Sequence, residues 1–141
     1  PEMGTDAQRI SIEPDRFAAV HISQGFRVGD LVFVSGQAAV NEQGEVVGVG
    51  DFGAQARQAV RNLDRVLNAA GSSLDQVIKV TIFVTDMSYF PEVVKLRKEV
   101  FSQPYPADTI CEVQGLAYPE LMFEIEAVAL ADGSTIDVAH S

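Results

Sequence analysis

The chain has 141 residues, a single cysteine and a formal net charge of −10 at neutral pH. This length suits one domain that buries a core without disulfides, and the lone Cys111 favours a reducing, cytoplasmic setting. The acidic balance argues against nucleic acid and anionic membranes as partners, because proteins bind both through clustered Lys and Arg. No apolar run reaches the roughly 18 residues of a membrane span, and residues 1–8 lack a secretory-signal pattern.

The first half of the chain predicts strands separated by turns. Residues 17–23 form a candidate first strand, and the apolar, β-branched run at 31–35 predicts a strand covered on both faces. Residues 38–40 and 45–49 flank a Gly-containing tetrapeptide at 41–44 that is typical of a hairpin turn. Residues 1–11 and 132–141 are polar or small, so we expect a single domain with loose ends and a core at about 17–130.

Two amphipathic helices alternate with strands in the rest of the chain. Apolar residues recur every three or four positions from Phe52 to Ala70, with Asp51 placed as N-cap and Gly71 as the terminating glycine. A second helix is predicted at 91–102, since Pro91 fits its first turn. Strands are predicted at 77–85, 109–113 and 121–130.

The resulting element order, β-β-β-α-β-α-β-β, predicts an α+β domain with a mixed sheet. Two helices cover only one face of such a sheet, so the other face needs a different partner. The apolar content of the strands indicates that this second face is buried as well. Self-association in a closed ring of three copies is one way to bury it.

Six separated segments together resemble the RidA/YjgF family. They are 34–37 (V-S-G-Q), 54–58 (A-Q-A-R-Q), Asn62, 69–71 (A-A-G), 80–86 (V-T-I-F-V-T-D) and 123–129 (F-E-I-E-A-V-A). The resemblance keeps its order over about residues 17–130. It implies a cytoplasmic homotrimer of chorismate-mutase-like fold, with small-molecule sites in the clefts between subunits and no cofactor.

The family chemistry implied by this resemblance is the hydrolysis of reactive enamines and imines, such as 2-aminoacrylate, to a keto acid and ammonia. An arginine after a Pro-Ala pair clamps the substrate carboxylate, and a glutamate on the last strand positions the water. In this sequence Glu124 takes the position of that glutamate, and Ser35 and Gly36 lie on the loop that lines the pocket. Thr109 and Ile110 continue the strand after the arginine position.

Three positions depart from the family pattern. Asp108 replaces the arginine after Pro106-Ala107, Ile22 replaces a tyrosine and Val94 replaces an asparagine. A carboxylate at position 108 would repel a substrate carboxylate by roughly 4 kcal/mol at 4 Å and an effective dielectric of about 20. Deamination of 2-aminoacrylate is therefore disfavoured unless another cation, such as Arg97, replaces the clamp.

Several titratable residues have both a functional and a structural interpretation. Asp108 and Glu124 form an acid/base pair if they face each other, and otherwise they are separate solvated carboxylates. Cys111 alternates with Asp108 and Ile110 along the strand and is interpreted as a core residue. The basic residues at 57–65 and 95–98 are interpreted as solvated helix faces, and Glu126 as the partner of Lys79 or an arginine.

Histidines and metals play no role in the predicted site. His21 is interpreted as a structural or surface residue and His140 belongs to the tail, so no cluster with metal-ligand spacing exists.

Two functions remain open. One is an imine or enamine hydrolase in which Glu124 positions water, and the other is a non-catalytic trimer that binds a small ligand or regulates a partner. A ribonuclease function, sometimes attached to this family, is disfavoured by the charge.

Overall fold

The computed structural model describes residues 6–139 of the chain. These residues form one sheet of six strands and two helices. The strands are β1 (Ala7–Arg9), β2 (Gly25–Val28), β3 (Leu31–Ala38), β4 (Val77–Val84), β5 (Ala107–Glu112) and β6 (Phe123–Leu130). The helices are α1 (Phe52–Ala69) and α2 (Phe90–Val100).

The sheet has the order β1-β2-β3-β6-β4-β5. β4 and β5 are parallel and are joined through α2, whereas the other neighbouring strands are antiparallel. A parallel pair needs a crossover connection, which a helix supplies. The predicted mixed α+β sheet is confirmed.

Helix α1 begins and ends where its sequence indicates. The Asp51 side chain accepts a hydrogen bond from the Ala54 backbone N–H at 3.0 Å, which satisfies one free donor of the first turn. Gly71 follows the helix with a φ of +75°, a left-handed conformation that glycine adopts without strain. The apolar stripe between these ends is buried, including Leu63 and Leu67.

Both helices pack on the same face of the sheet. Val32, Ile82 and Ile125 on the central strands have no exposed surface and form one core with residues of α1 and α2. Side chains alternate along a strand, so their neighbours point to the opposite side. We call that opposite side the open face, and no helix of the described residues covers it.

The open face carries large apolar side chains that remain exposed in the single chain. Phe26 is 40% exposed, Leu31 37% and Phe33 43%. Phe26 and Phe33 are register partners on β2 and β3, so they form one apolar patch. Such a patch on a sheet face marks a surface that is normally covered.

The N-terminal third differs from its predicted strands. Residues 17–23 do not form a strand, because Ala18–Val20 make a single helical turn that ends at His21 with a φ of 63°. The strand of this region, β2, begins instead at Gly25, two residues after the end of the predicted strand. β1 lies within the segment expected to be loose, where its three exposed residues give no hydrophobic alternation to detect.

The hairpin predicted at 38–49 is reduced to a single bridge between Val40 and Val46. Instead of extending the sheet, Val40 packs with Ala39 and Leu121 in a small separate cluster. Residues 132–139 form no helix or strand, and Gln76 Nε2 donates to the Ala131 and Ser134 carbonyls. Residues 1–5 and 140–141, with the tail residue His140, lie outside the described part. No helix in that part is long and apolar enough to cross a membrane.

Candidate functional site

A bulge in β3 forms the first part of the site. The register between β3 and β6 shifts between Val34 and Gln37, so Ser35 and Gly36 are extra residues opposite β6. The Ser35 hydroxyl donates to the Ser23 carbonyl at 2.6 Å, and the Ser35 backbone N–H donates to the Gln24 carbonyl at 2.9 Å. The bulge is therefore held in a defined position on the open face.

Gly36 lies directly against the carboxylate of Glu124. A Cβ atom at position 36 would be 2.5 Å from Glu124 Oε2 and 2.9 Å from its carboxyl carbon. Real Cβ atoms do not approach other atoms this closely, so only glycine leaves room for the carboxylate in this position. The two residues predicted from the family pattern are brought together.

The Glu124 carboxylate has no hydrogen bond or ion pair with any side chain of residues 6–139. Burial raises the pKa of this carboxyl above its ordinary value, and the nearby negative charge of Glu126 raises it further. A half-buried, unpaired carboxylate with a raised pKa is suited to accept a proton from water near neutral pH.

A basin with a volume of about 420 Å³ lies on the open face, and the Glu124 carboxylate is not part of its lining. Ile22 and Ser35 line it together with the apolar patch, and Lys79 and Glu126 supply its charged groups. Lys79 Nζ donates to the Val80 carbonyl at 2.7 Å and lies 3.4 Å from the hydroxyls of Thr81 and Thr109. No ion pair between Lys79 and Glu126 forms among the described residues, so that predicted pairing is wrong.

Cys111 also belongs to the open face. It pairs with Phe83 across β4, and Phe83 pairs with Glu124 across β6, so the three lie in one row. The prediction that Cys111 points away from Asp108 and Ile110 is confirmed by the register. The core interpretation is wrong, because Cys111 is only partly buried and is absent from both hydrophobic clusters.

Asp108 occupies the opposite side of the sheet. It pairs with Val80, a core residue, and its carboxylate accepts two hydrogen bonds from Arg97 on α2, at 2.8 Å from Nε and 3.0 Å from Nη2. Glu124 is two strands across and three register positions along, which separates the two backbones by roughly 14 Å. Within one chain, Asp108 and Glu124 do not form the acid/base pair considered above.

A second depression, the helix-2 pocket, surrounds the Arg97–Asp108 pair. It has a volume of about 510 Å³ and is lined by Val94, Arg97, Lys98, Phe101, Tyr105, Pro106 and Asp108. Ile110 points towards the same side of the sheet as Asp108 and packs against the core. The predicted site residues thus divide between the two faces, with Ile22, Ser35, Gly36, Glu124 and Thr109 on the open face and Val94, Asp108 and Ile110 on the helix face.

The described residues contain no group of three His, Cys, Asp or Glu side chains that would hold a metal ion. His21 is exposed in its turn, which agrees with the surface interpretation.

The prediction that the basic residues form solvated helix faces is wrong for Arg97, because its side chain is only 25% exposed. Arg57, in contrast, is 53% exposed and fits it.

Comparison with known proteins identifies the family of the chain. The family model described as Endoribonuclease L-PSP matches residues 13–131. Solved structures of the same fold include one of a mycobacterial member of the YjgF/YER057c/UK114 family, with a TM-score of 0.76 and 32% identity over 89% of this chain and all of that one. This chain belongs to the RidA/YjgF family.

Several relatives in the RidA/YjgF family cover most of both chains. A RutC family protein of Pyrococcus horikoshii is 38% identical over 108 residues, which are 76% of this chain and 84% of that protein. A Dermatophagoides farinae protein named 2-iminobutanoate/2-iminopropanoate deaminase is 32% identical over 110 residues, or 78% and 85%. The structure of RidA from an Antarctic Psychrobacter has a TM-score of 0.80 at 32% identity and covers 87% of this chain and 98% of that one.

Two features of the site were not identified by the sequence analysis. The Arg97–Asp108 pair joins α2 to β5, and no local pattern signals which helix residue meets a strand eleven positions later. Gln37 was noted only as part of a RidA/YjgF segment, yet it is buried behind the bulge and donates to the Ser35 carbonyl at 3.1 Å. A polar residue between buried strand residues was the available signal.

Proposed function

We propose that this protein hydrolyses small imine or enamine substrates at a site assembled between the chains of a homotrimer, with Glu124 activating the water. Membership of the RidA/YjgF family supports a function of this kind, and a relative named as a deaminase of 2-iminobutanoate and 2-iminopropanoate supports the reaction class. The substrate itself is a small molecule and no cofactor takes part.

The observation that carries the proposal is the state of the Glu124 carboxylate. It is half-buried, has no ion-pair partner among the described residues, and has a raised pKa. Burying a carboxylate without a partner lowers the stability of the folded protein, so a purely structural role for Glu124 is disfavoured. Because position 36 is a glycine, the carboxylate can occupy its observed position against the β3 backbone.

The reaction balances with these groups alone. The substrate reacts as the protonated imine. Glu124 accepts a proton from water while the water oxygen bonds to the imine carbon, giving a neutral carbinolamine. The carboxyl group then returns this proton to the nitrogen. As the carbon–nitrogen bond breaks, the carboxylate accepts the proton of the carbinolamine hydroxyl, so that the ketone forms and ammonia leaves, and the ammonia takes up this proton as ammonium. An enamine reacts in the same way after it takes up a proton at carbon and becomes the protonated imine.

The trimer is supported by the exposed apolar patch of the open face. Phe26, Leu31 and Phe33 need a cover, and a symmetric ring of identical chains supplies one without any other partner. We propose that in this assembly the helix-2 pocket of one chain adjoins the Glu124 side of its neighbour, since the two halves lie on opposite faces of one chain. Ile22, Ser35, Gly36, Val94, Thr109 and Ile110 then line or support the shared cleft.

A second candidate function is binding without catalysis. The apolar residues Ile22 and Val94 are exposed at the two depressions, and Asp108 is already engaged by Arg97. This arrangement favours a trimer that holds a small apolar ligand or regulates a partner. The two functions differ in whether ligand is consumed.

A ribonuclease activity, which the description of the matching family names, is disfavoured for this chain. A net charge of −10 opposes the phosphate contacts from which nucleic-acid binding gains most of its affinity. The single cysteine keeps the cytoplasm as the expected compartment, although a Schizosaccharomyces pombe relative, 37% identical over 119 residues, is named as mitochondrial.

The proposal is tested by following ammonia and ketone release from freshly generated 2-aminoacrylate, and from a neutral imine without a carboxylate, against buffer alone. We expect the wild-type protein to exceed the buffer rate for at least one of them. Glu124→Gln should return the rate to that of buffer, a loss on the order of 10²-fold or more, because the water loses its base. Glu92→Gln is the control, since Glu92 is exposed on α2 and its side chain makes no hydrogen bond or ion pair within residues 6–139.

Turnover that survives Glu124→Gln would contradict the assigned role of Glu124. A wild-type protein that matches buffer for both substrates, while a co-purified ligand remains bound, would favour the non-catalytic function. Circular dichroism and light scattering of each variant establish that the fold and the assembly are intact.

A further inference from the structure

We propose that Asp108 neutralises the charge of Arg97 and thereby makes this site selective for small aliphatic imines that carry no carboxylate. The inference rests on the proposed function and deepens it by naming the substrate class. Asp108 is in this account a specificity-determining residue, since it decides which charge the helix-2 pocket presents to a substrate.

Arg97 is held by Asp108 through two hydrogen bonds. The Asp108 carboxylate accepts from Nε at 2.8 Å and from Nη2 at 3.0 Å. The Arg97 side chain is 25% exposed and that of Asp108 is 16% exposed, so water screens this pair less than it screens a surface pair. A second carboxylate at the free end of the guanidinium would be attracted by Arg97 and repelled by Asp108. The pair therefore supplies little net attraction for an anionic substrate.

The other cations that line the two depressions are occupied or exposed. In the part of the chain that the structure describes, these cations are Lys79 in the basin on the open face and Lys98 in the helix-2 pocket. An ammonium group has three N–H donors. Lys79 Nζ has an acceptor for each of them, in the Val80 carbonyl at 2.7 Å and in two threonine hydroxyls at 3.4 Å. Lys98 is exposed on α2, where water and salt screen its charge, so neither lysine replaces Arg97 as an anchor.

The catalytic side of the proposed site favours a cation. The substrate reacts as the protonated imine, which carries one positive charge when it has no carboxylate. Glu124 has no ion-pair partner among the described residues, and Glu126 is exposed two positions along the same strand. Their negative charges attract such a cation and repel the carboxylate of an imino acid.

Apolar side chains line both halves of the proposed site. Ile22 is 47% exposed at the basin on the open face, and Val94 and Tyr105 are 46% and 48% exposed at the helix-2 pocket. Phe101 adds to the apolar wall, and the pocket volume of about 510 Å³ leaves room for a branched alkyl chain. The walls therefore suit an alkyl body, and the charges suit a cationic head without a carboxylate.

The test compares two imines that differ only in the carboxylate. A flavin-dependent amine oxidase generates 3-methylbutan-1-imine from 3-methylbutylamine, and an amino-acid oxidase generates 2-imino-4-methylpentanoate from leucine. Both oxidases reduce O₂ to hydrogen peroxide, which added catalase removes. Hydrolysis is followed as ammonia release above the buffer rate. We define the specificity ratio as kcat/KM for the first imine divided by kcat/KM for the second, and we expect at least about tenfold in the wild type.

Asp108→Asn removes the negative charge and keeps the size of the side chain. We expect this variant to lower the specificity ratio at least about tenfold, chiefly by raising kcat/KM for the imino acid, because the guanidinium charge is then unopposed. Adding Arg97→Gln to Asp108→Asn should remove that gain. Glu99→Gln is the matched control, since Arg57 and Glu99 make a forked pair at the surface, with side chains 53% and 50% exposed. The control should keep the wild-type ratio.

Binding of two stable analogues gives a measurement that does not need turnover. The cation 3-methylbutylamine differs from leucine only in the carboxylate. We expect calorimetry on the assembled wild-type protein to show that the amine binds at least about tenfold more tightly than leucine, and that Asp108→Asn reduces this preference. Circular dichroism and light scattering establish that each variant keeps its fold and assembly.

The outcomes keep this inference separate from the proposed function. Selective binding of the amine without hydrolysis of either imine would leave the selectivity of the site standing and remove the catalytic proposal. Hydrolysis of the imino acid at least as fast as that of the carboxylate-free imine would leave catalysis standing and overturn the selectivity. A specificity ratio or binding preference that is equal in Asp108→Asn and the wild type would overturn the role of Asp108. Absence of both turnover and binding at millimolar concentration would overturn both proposals.

Discussion

Gly36 determines where the carboxylate of Glu124 can lie. A methyl group at this position would be 2.5 Å from Oε2, so the carboxylate would have to move. We expect Gly36→Ala to lower kcat by about 10²-fold, since a displacement of about 1 Å at a reacting group costs this much. The measurement is steady-state ammonia release together with a thermal melt.

Gly115→Ala provides the matched control for that substitution. A Cβ atom at position 115 would meet nothing within 4 Å, so the same chemical change falls in open space. Equal loss of kcat in both variants, or full activity of Gly36→Ala, would contradict the importance of this contact.

The protonation of Glu124 should be visible in both activity and stability. Because burial raises the pKa of this carboxyl above its ordinary value of 4.5, the native state holds the proton more tightly than the unfolded chain. The contribution of this carboxyl to the free energy of unfolding is fully present below about pH 4.5, and it is lost as the pH rises through the raised pKa. We expect the free energy of unfolding of the wild type to fall relative to Glu124→Gln over that interval.

Denaturant unfolding from about pH 4 to pH 8 at one chain concentration measures this difference. Turnover should rise over the same interval, since the ionised carboxylate is the active form. A constant stability difference between the two proteins across this range would show that the carboxyl titrates as in the unfolded chain.

At the level of elements, the bulge in β3 depends on a buried polar chain behind it. Gln37 is 1% exposed, and its amide donates to the Ser35 carbonyl at 3.1 Å and lies 3.4 Å from Gln24 Oε1. The Gln24 amide in turn donates to Asp15 Oδ1 at 3.1 Å. These contacts connect the N-terminal segment to the bulge that lies against Glu124.

We expect Gln37→Met to lower the free energy of unfolding by about 1–3 kcal/mol, because two buried acceptors lose their donor. It should also lower kcat more than it changes KM, as the bulge is no longer held in place. Denaturant unfolding and steady-state kinetics measure the two effects. Gln43→Met in the exposed 41–44 turn is the control and should change stability by less than about 0.5 kcal/mol. A stability loss with unchanged kcat would reduce Gln37 to a structural residue.

The elements differ in how well the sequence predicts them, for physical reasons. Helix α1 is predictable because its stripe, the Asp51 cap and Gly71 are all local signals. β1 is not predictable from the sequence, because its three exposed residues have no hydrophobic alternation. The strand forms only because it pairs with β2. The strand predicted at 17–23 does not form although its residues are apolar, because they lie in a turn where Val20 and Ile22 remain exposed.

The candidate site divides in the same way. Gly36 and Glu124 were predictable as a pair because both belong to segments with a recognisable family pattern. The contact between Arg97 and Asp108 was not predictable, because it joins a helix to a strand. This ion pair also changes the effect that the Asp108 charge has on a ligand. Alone, the Asp108 carboxylate would repel a substrate carboxylate, whereas in the structure its charge is paired with the Arg97 guanidinium.

At the scale of the whole molecule, each proposed site is shared by two chains. The Glu124 side and the helix-2 pocket lie on opposite faces of one sheet, so a single chain does not complete the site. A closed ring joins two different surface patches of neighbouring chains, and in the proposed trimer these patches are the Glu124 side and the helix-2 pocket. Mixed assemblies of two inactive variants therefore report on the arrangement directly.

The decisive measurement is ammonia release from co-expressed Glu124→Gln and Val94→Trp chains. The first lacks the base, and the second blocks the helix-2 pocket with a large ring, so each should be inactive alone. If sites are shared, a cleft with both halves intact forms in about a quarter of random pairings within a closed ring, and activity returns to about that fraction of wild type. Activity no greater than that of the two parents, or a Val94→Trp protein that is fully active alone, would contradict the account.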